Sequence, residues 1–396
     1  MTRLLLVCPE PLGHGQPAGI GIRFLEIAKV LRDDGHDVTL LSRDEITAES
    51  IARASSAADA AVVQGHVAND FFAHARTIPT VIDLYDPFII ENLHYYESRG
   101  GEVFAHDHAT LINSLLRGDF FLCASEAQRL FYAGMLLATG RVNPVLFATD
   151  PRLQSLIALA PFGVQAPRQR TPADLQSPQV LFGGIYDWYE PIVAVDAIAL
   201  ARETLPRITL TFTTHPNPAI TPQGKAAEVM TYVKQKRYET FVRFEPWVEY
   251  DRRGEFLDRF AAALLTFRQS LETDLSMRTR VYDYLWAGIP IVTSSAPGTD
   301  AILARYSAGA IVRSESTRDY AEAIVRVIRD EHAAMTSGTN DFVAAHQWPS
   351  VLEPLRAFCR APRIDDTKDA FATRLQLPER PASILDRLKR RIGGSL

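Results

Sequence analysis

The stretch SLETDLSMRTRVYDYLWAGIPIV, residues 270–292, places Arg278 and Arg280 where a helix should begin. Val281 and Leu285 recur at helical spacing, Ser276 is of an N-capping type, and AGIP stops the helix before the apolar run IVTSS. Cations at this end oppose the helix dipole at a cost of roughly a few tenths of a kcal/mol each. The pattern therefore predicts an anion at the helix start. Asp283 lies three positions beyond Arg280 and shares its face, so one helix end would present a guanidinium to that anion with a carboxylate beside it. A surface ion pair between Arg280 and Asp283, worth little, is the other reading of the same spacing.

The elements that must hold these residues follow from composition and punctuation. The chain has 396 residues, 47% of them hydrophobic and 22% charged, which suits about two soluble domains with sizeable cores. No apolar run reaches the roughly 18 residues of a membrane span, and MTRLLLVCPEP is too short an apolar run for a signal peptide, so a cytoplasmic location is expected. Cys8, Cys123 and Cys359 lie in apolar settings without CxxC pairing and read as core residues rather than disulfides or zinc ligands. A net charge of -5 spread along the chain gives no basic stripe for nucleic acid.

Strand-like runs alternate with amphipathic helix patterns from residue 3 to about 150: LLLVCP, IRFLEIAKVLRDDG, DVTLLS, DAAVVQ, TVIDLY and DFFLCAS. Residues 160–179, with four prolines, read as a linker. A second series follows through VLFGG, PIVAVDAIALARETL, ITLTFTT, AALLTF, RVYDYLWAG, IPIVTSS, AGAIVR and TRDYAEAIVRVIRDE. The fold class implied is α/β, with two Rossmann-like doubly wound domains facing a cleft. The expected divisions are residues 1–168, 169–349 and a C-terminal segment 350–396. Ligands in such folds bind beyond the carboxyl ends of the strands.

The loop PEPLGHGQPAGIGIRFLEIAKVL opens a helix with glycines, as phosphate-cradling turns do. A dinucleotide fingerprint wants its first glycine directly after the strand, whereas Gly19 comes about ten residues late, and only Asp44 at the end of the next strand supports that reading. A plain surface loop accounts equally for Gly13, Gly15, Gly19 and Gly21.

The order of these motifs resembles family 4 glycosyltransferases of the GT-B fold, the bacterial group 1 glycosyltransferases. AGIGIRFLEIAKVLRDDGHDV is similar to their opening glycine turn and helix, with Gly21 and Gly35 at matching spacing. DAAVVQGHVANDF with His66, PTVIDLYDP with Asp86 and DFFLCASEAQRLF resemble their next strands. RTRVYDYLWAGIPIV resembles their most specific element, an acidic residue five positions before the glycine of AGxP. Two departures stand out. Phe162 replaces an asparagine, and the first Glu of the family's paired-Glu motif falls near Leu275, leaving Asp274 or Glu272 as substitutes. GHGQP with His14 imitates the catalytic turn of family 1 but in a wrong register, and His14 reads as a loop residue.

The resemblance implies transfer of a sugar from a nucleoside-diphosphate sugar to a saccharide or lipid-linked saccharide acceptor, with retention and in surface-glycan synthesis. Arg278, Arg280 and Arg268 would then neutralise the diphosphate; Arg268 is proposed because the loop GGIYDWYEP lacks the family's basic residues. His66 would contact the transferred sugar. Gly19, Gly21, Gly184, Trp247, Asp274 and Asp283 would form the donor site, with Tyr186 and Trp188 shaping it. No Asp-x-Asp triplet occurs, which agrees with cationic side chains in place of a metal, so neither a metal nor another cofactor is expected. His106 and His108, two apart on a helix, read as surface residues. A sugar-nucleotide epimerase of the same fold and a catalytically silent binding subunit are the rival readings. The tail PASILDRLKRRIGGSL, with Ile384, Leu385, Leu388 and Ile392 near one face and Arg387, Lys389, Arg390 and Arg391 beside them, suits a docked helix, a basic tail or a contact with an anionic membrane surface.

Overall fold

The computed structural model describes residues 1–12, 17–95, 100–214 and 224–368. Parallel strands covered by helices on both faces read as continuous apolar runs, and the chain follows that rule twice. The first sheet contains β1 (Arg3–Val7), β2 (Asp37–Leu41), β3 (Ala60–Gln64), β4 (Thr80–Asp83), β5 (Phe120–Cys123) and β6 (Ile157–Leu159), in the order β2-β1-β3-β4-β5-β6. The second contains β7 (Gln179–Gly184), β8 (Thr209–Thr213), β9 (Val242–Glu245), β10 (Ala262–Leu265), β11 (Ile291–Ser294) and β12 (Gly309–Val312), in the order β12-β11-β10-β7-β8-β9. Every ladder in both is parallel. These are the two doubly wound α/β halves expected from the alternation. Strand order reverses between β1 and β3 and again between β7 and β10, which puts a crevice at each of those carboxyl ends.

The helix Gly19–Asp33 follows β1 and buries Ile22, Phe24, Ile27 and Leu31. It ends where Gly35 adopts φ +84, a left-handed conformation that glycine enters without Cβ strain. Its Arg23 is fully buried, donating to both carboxylate oxygens of Asp83 at 2.7 and 3.0 Å and to the carbonyls of Ala160 and Pro161. That bidentate pair ties the helix to the end of β4 and to the start of the linker, and removing either partner would strand a buried charge at a cost of about 3–5 kcal/mol.

The chain returns to the first half at its described end. Val164 pairs with Gln347, Trp348 packs on Phe162, and in the helix Glu353–Arg360 Phe358 stacks on Phe120 while Arg356 reaches Asp34 at 2.6 Å. The three cysteines are buried, as their settings implied. His106 and His108 are exposed on the helix Gly101–Arg117, again as expected. Strands β6 and β9 were not anticipated; β9 occupies VRFE, which the sequence reading ran into a loop. His14 and the amphipathic tail lie outside the described residues. No helix among the described residues is long and apolar enough to cross a membrane.

Candidate functional site

Two adjoining cavities open between the carboxyl ends of the two sheets. The larger, with about 900 Å³ of open space, is lined from the first half by Gly19, Ile22 and Phe162 and from the second by Gly184, Trp247, Tyr250, Arg253, Arg280 and Asp283, among others. The smaller meets Glu10, Asp86 and Glu91 on one wall and Tyr186, Trp188, Arg278 and Arg280 on the other. Gly19 and Arg280 border both.

The helix that sequence analysis singled out spans Thr279–Trp286. Arg278, not Ser276, occupies its N-cap, in extended backbone and without a side-chain cap bond. Ser276 instead donates to Glu91 in the other half, at 3.0 Å. Tyr85 donates its hydroxyl to the Met277 carbonyl at 3.0 Å, and the Gln128 amide reaches the Leu275 carbonyl at 2.9 Å. The segment leading into the helix is thus gripped from the first half, which fixes where its N-terminus points.

Arg280 projects from that start into the cleft. Its Nη1 donates to the carbonyls of Phe182 and Gly184 at 3.0 and 2.8 Å, and its guanidinium lies over the rings of Tyr189 and Tyr186 at 4.5 and 5.3 Å. Among the described residues it has no carboxylate partner. Carbonyl dipoles and ring faces offset part of its desolvation, but the positive charge is left to be balanced from the cavity. The ion pair between Arg280 and Asp283 does not form. Asp283 accepts from Arg253 Nε at 3.0 Å instead, while still lining the larger cavity beside Arg280. Burial pushes the Asp283 carboxyl up, and Arg253 opposes that rise.

Arg278 differs from its neighbour. Both its terminal nitrogens bond Glu272, at 2.6 and 2.7 Å, and both side chains are buried. Its charge is already answered, so it is not the free cation that the sequence suggested, although it lines the smaller cavity. Asp274 is exposed and borders neither cavity; of the two candidate substitutes, Glu272 is the one turned inward. Arg268 also departs from expectation. It is 77% exposed, pairs with Glu190 at 2.8 Å and lines a separate cavity with Gln269 and Arg313. The strand end does bring it out to solvent, but on the far side of Glu190.

His66 sits in the short turn Gly65–Val67 after β3, with Nε2 3.3 Å from Asp86 and its ring against Phe88. It borders neither cavity; Asp86, which holds it, borders the smaller one. Gly184 and Trp247 line the larger cavity as expected. Gly19 does so through close approach, since a Cβ there would lie 3.1 Å from Thr279 Cγ2 across the cleft. Gly21 faces elsewhere: its missing Cβ leaves room for Glu10, whose Oε2 would be 2.6 Å away.

Glu10 was missed by sequence reasoning, and so were Glu91 and Arg253. The Glu10 carboxylate accepts from the Ala18 amide at 2.9 Å and faces the amides of Ile20 and Gly21 at the N-terminus of the helix Gly19–Asp33. Burial holds its carboxyl above the ordinary range against those amides. Burial, then the nearby Asp86 and Glu272 carboxylates, pushes the Glu91 carboxyl well above the usual range. Only the early position of Glu10 after β1 could have signalled it; Glu91 and Arg253 reach the site through tertiary folding.

No family model matches the chain, and no curated protein matches it in sequence. Solved structures do. Sucrose-phosphate synthase from Thermosynechococcus elongatus is 11% identical with a TM-score of 0.66, over 91% of this chain and 98% of that one. Anabaena HepE, solved with UDP and glucose, is 13% identical with a TM-score of 0.64, over 91% and 100%. WaaG, a glycosyltransferase involved in lipopolysaccharide biosynthesis, is 13% identical with a TM-score of 0.60, over 89% and 98%. At such identities the likeness is one of fold, and it places the chain in the two-domain GT-B architecture.

Proposed function

We propose that this protein is a glycosyltransferase that moves a sugar from a nucleoside-diphosphate sugar to a saccharide or lipid-linked acceptor, with retention of configuration. The observation that carries the reading is Arg280, a cation without a carboxylate partner among the described residues, set between two cavities and beside Asp283. A diphosphate supplies the charge that Arg280 lacks, and the helix start adds its dipole. The nucleoside then extends along Trp247 and Tyr250, with its ribose hydroxyls toward Asp283. The fold likeness to HepE, solved with UDP-glucose, is compatible with that arrangement.

In the chemical step the bond from the sugar's anomeric carbon to the diphosphate oxygen breaks, and a bond to the acceptor oxygen forms on the same face. The acceptor proton passes to the departing phosphate. Arg280 stabilises the charge that accumulates there. The Glu272–Arg278 pair keeps the preceding segment in place, and no side-chain nucleophile takes part. Cationic side chains serve in place of a metal, so turnover should persist in excess chelator; complete loss, restored by magnesium or manganese, would refute metal independence.

A thermal-shift screen against uridine, guanosine, thymidine and adenosine diphosphate sugars tests the donor assignment, because a ligand of the folded state raises stability by mass action. One nucleotide class should raise the melting temperature, and the matching sugar nucleotide should release nucleoside diphosphate. No shift with any of them would overturn the reading, and a new sugar-nucleotide isomer without transfer would point to an epimerase instead.

A further inference from the structure

The nucleoside end of the larger cavity contains an arginine that the proposed chemistry does not use. Arg253, in the short helix Arg253–Leu257, lines the cavity with Asp283 and donates its Nε to Asp283 Oδ1 at 3.0 Å. The second carboxylate oxygen takes no hydrogen bond from a described residue. The guanidinium lies over two rings, 3.6 Å from the Tyr250 ring centre and 4.5 Å from that of Trp286, and its Nη1 donates to the Tyr250 carbonyl at 2.7 Å. A planar cation held by two rings and a carbonyl has little freedom left to lose when it orients a carboxylate.

We infer that Arg253 is a positioning residue for the nucleoside half of the donor site: it turns one oxygen of Asp283 away so that the other faces the ribose. The inference rests on the donor reading above and deepens it. An aspartate has one methylene between its backbone and its carboxylate, so its reach is short and it needs a fixed carboxylate plane to present an oxygen usefully. Arg253 supplies that plane and, through Tyr250, joins it to the loop that carries Trp247. Tyr250 and Trp286 are themselves held to the rest of the protein, the Tyr250 hydroxyl by Gln165 at 3.3 Å and Glu26 at 3.4 Å, and the Trp286 indole by the Ala166 carbonyl at 3.1 Å. The clamp is therefore anchored to the linker and to the first half, not only to its own helix. Arg253 also opposes the rise that burial imposes on the Asp283 carboxyl.

Calorimetric titration with UDP, GDP and ADP, each with its 2′-deoxy and 3′-deoxy forms, tests this on the full chain and on Arg253→Gln, Asp283→Asn and the double variant. The full chain should prefer the intact ribose by about tenfold for the nucleotide it binds, and Arg253→Gln should bring that preference close to parity. If Arg253 acts through Asp283, the double variant binds no more weakly than Asp283→Asn alone. As pH falls, Arg253→Gln should lose affinity earlier than the full chain, since its Asp283 accepts a proton more readily. An unchanged ribose preference and acid limb, or additive losses in the double variant, would overturn the inference. Arg253→Lys covers the case in which the Gln variant does not fold: its preference should fall by about threefold, and a preference equal to that of the full chain would also overturn it. Failure of the unmodified chain to bind any of these three or thymidine diphosphate is a different outcome, which removes the donor reading itself.

Discussion

Two helices begin at the cleft, one from each half, and their N-termini come so close that a Cβ on Gly19 would lie 3.1 Å from Thr279. The first start, at Gly19, is filled by the chain's own carboxyl group: Glu10 accepts from the Ala18 amide and faces those of Ile20 and Gly21. The second, at Thr279, is given a cation, Arg280, and no described carboxylate to answer it. Two helix starts that face each other across the cleft have thus been given opposite kinds of side chain, a carboxyl group and a guanidinium. A helix N-terminus is by default a place for an anion. One of these needs none from outside, and the other has been made more positive than its dipole alone would make it. On the proposed reading the anion belongs to the second half of the cleft, and the filled first start argues against a phosphate in the glycine turn.

Breaking the second start should have the largest effect. Arg280→Ala is expected to lower nucleotide affinity and turnover by roughly 100-fold, about 2.7 kcal/mol, with a melting temperature close to that of the parent. Unchanged affinity and rate would remove the contrast altogether. Asp283→Asn comes next, with donor affinity lower by about tenfold and turnover at saturating donor little changed, since a ribose contact is made alike in ground and transition states. Loss of turnover with intact affinity would show that Asp283 has another role.

The first start should respond in stability rather than in binding. Glu10→Ala removes the acceptor for the Ala18 amide at the helix start, and a lost cap of this kind costs about 1 kcal/mol, or roughly 2–4 °C in melting temperature by calorimetry. Nucleotide affinity should hold. If the variant instead binds nucleotide more tightly, Glu10 was occupying a phosphate site and the contrast is inverted. Arg268→Ala should do least. Its side chain is 77% exposed and paired with Glu190 outside the two cavities, so affinity is expected to stay within about twofold. A large loss there would return Arg268 to the donor site.

Most of the fold was legible because buried parallel strands advertise themselves. Runs such as LLLV in β1 and AALL in β10 are apolar throughout and fully buried. The missed strands, β6 and β9, are the outer strands of their sheets; β9 alternates Val242 and Phe244 with Arg243 and Glu245, and four residues with two charges carry little periodic signal. The site was legible where a single element sufficed. Arg280 and Asp283 share one helix and both face the larger cavity, as their spacing implied. What spacing could not show was partnership. Whether Arg278 is free depends on Glu272 in the preceding helix, and whether Arg268 points into the cleft depends on Glu190 at the start of the helix Pro191–Ala201. The same limit applies to Gly21, whose glycine accommodates Glu10 rather than a ligand.

The most direct measurement is a crystal structure of the protein with UDP, or with whichever nucleoside diphosphate the thermal-shift screen selects. The account predicts phosphate oxygens within hydrogen-bond distance of the Arg280 guanidinium, the ribose against Asp283, and Glu10 still bonded to the Ala18 amide. A diphosphate bound at the Gly19 helix start with Glu10 displaced, or a nucleotide lodged away from Arg280, would contradict it.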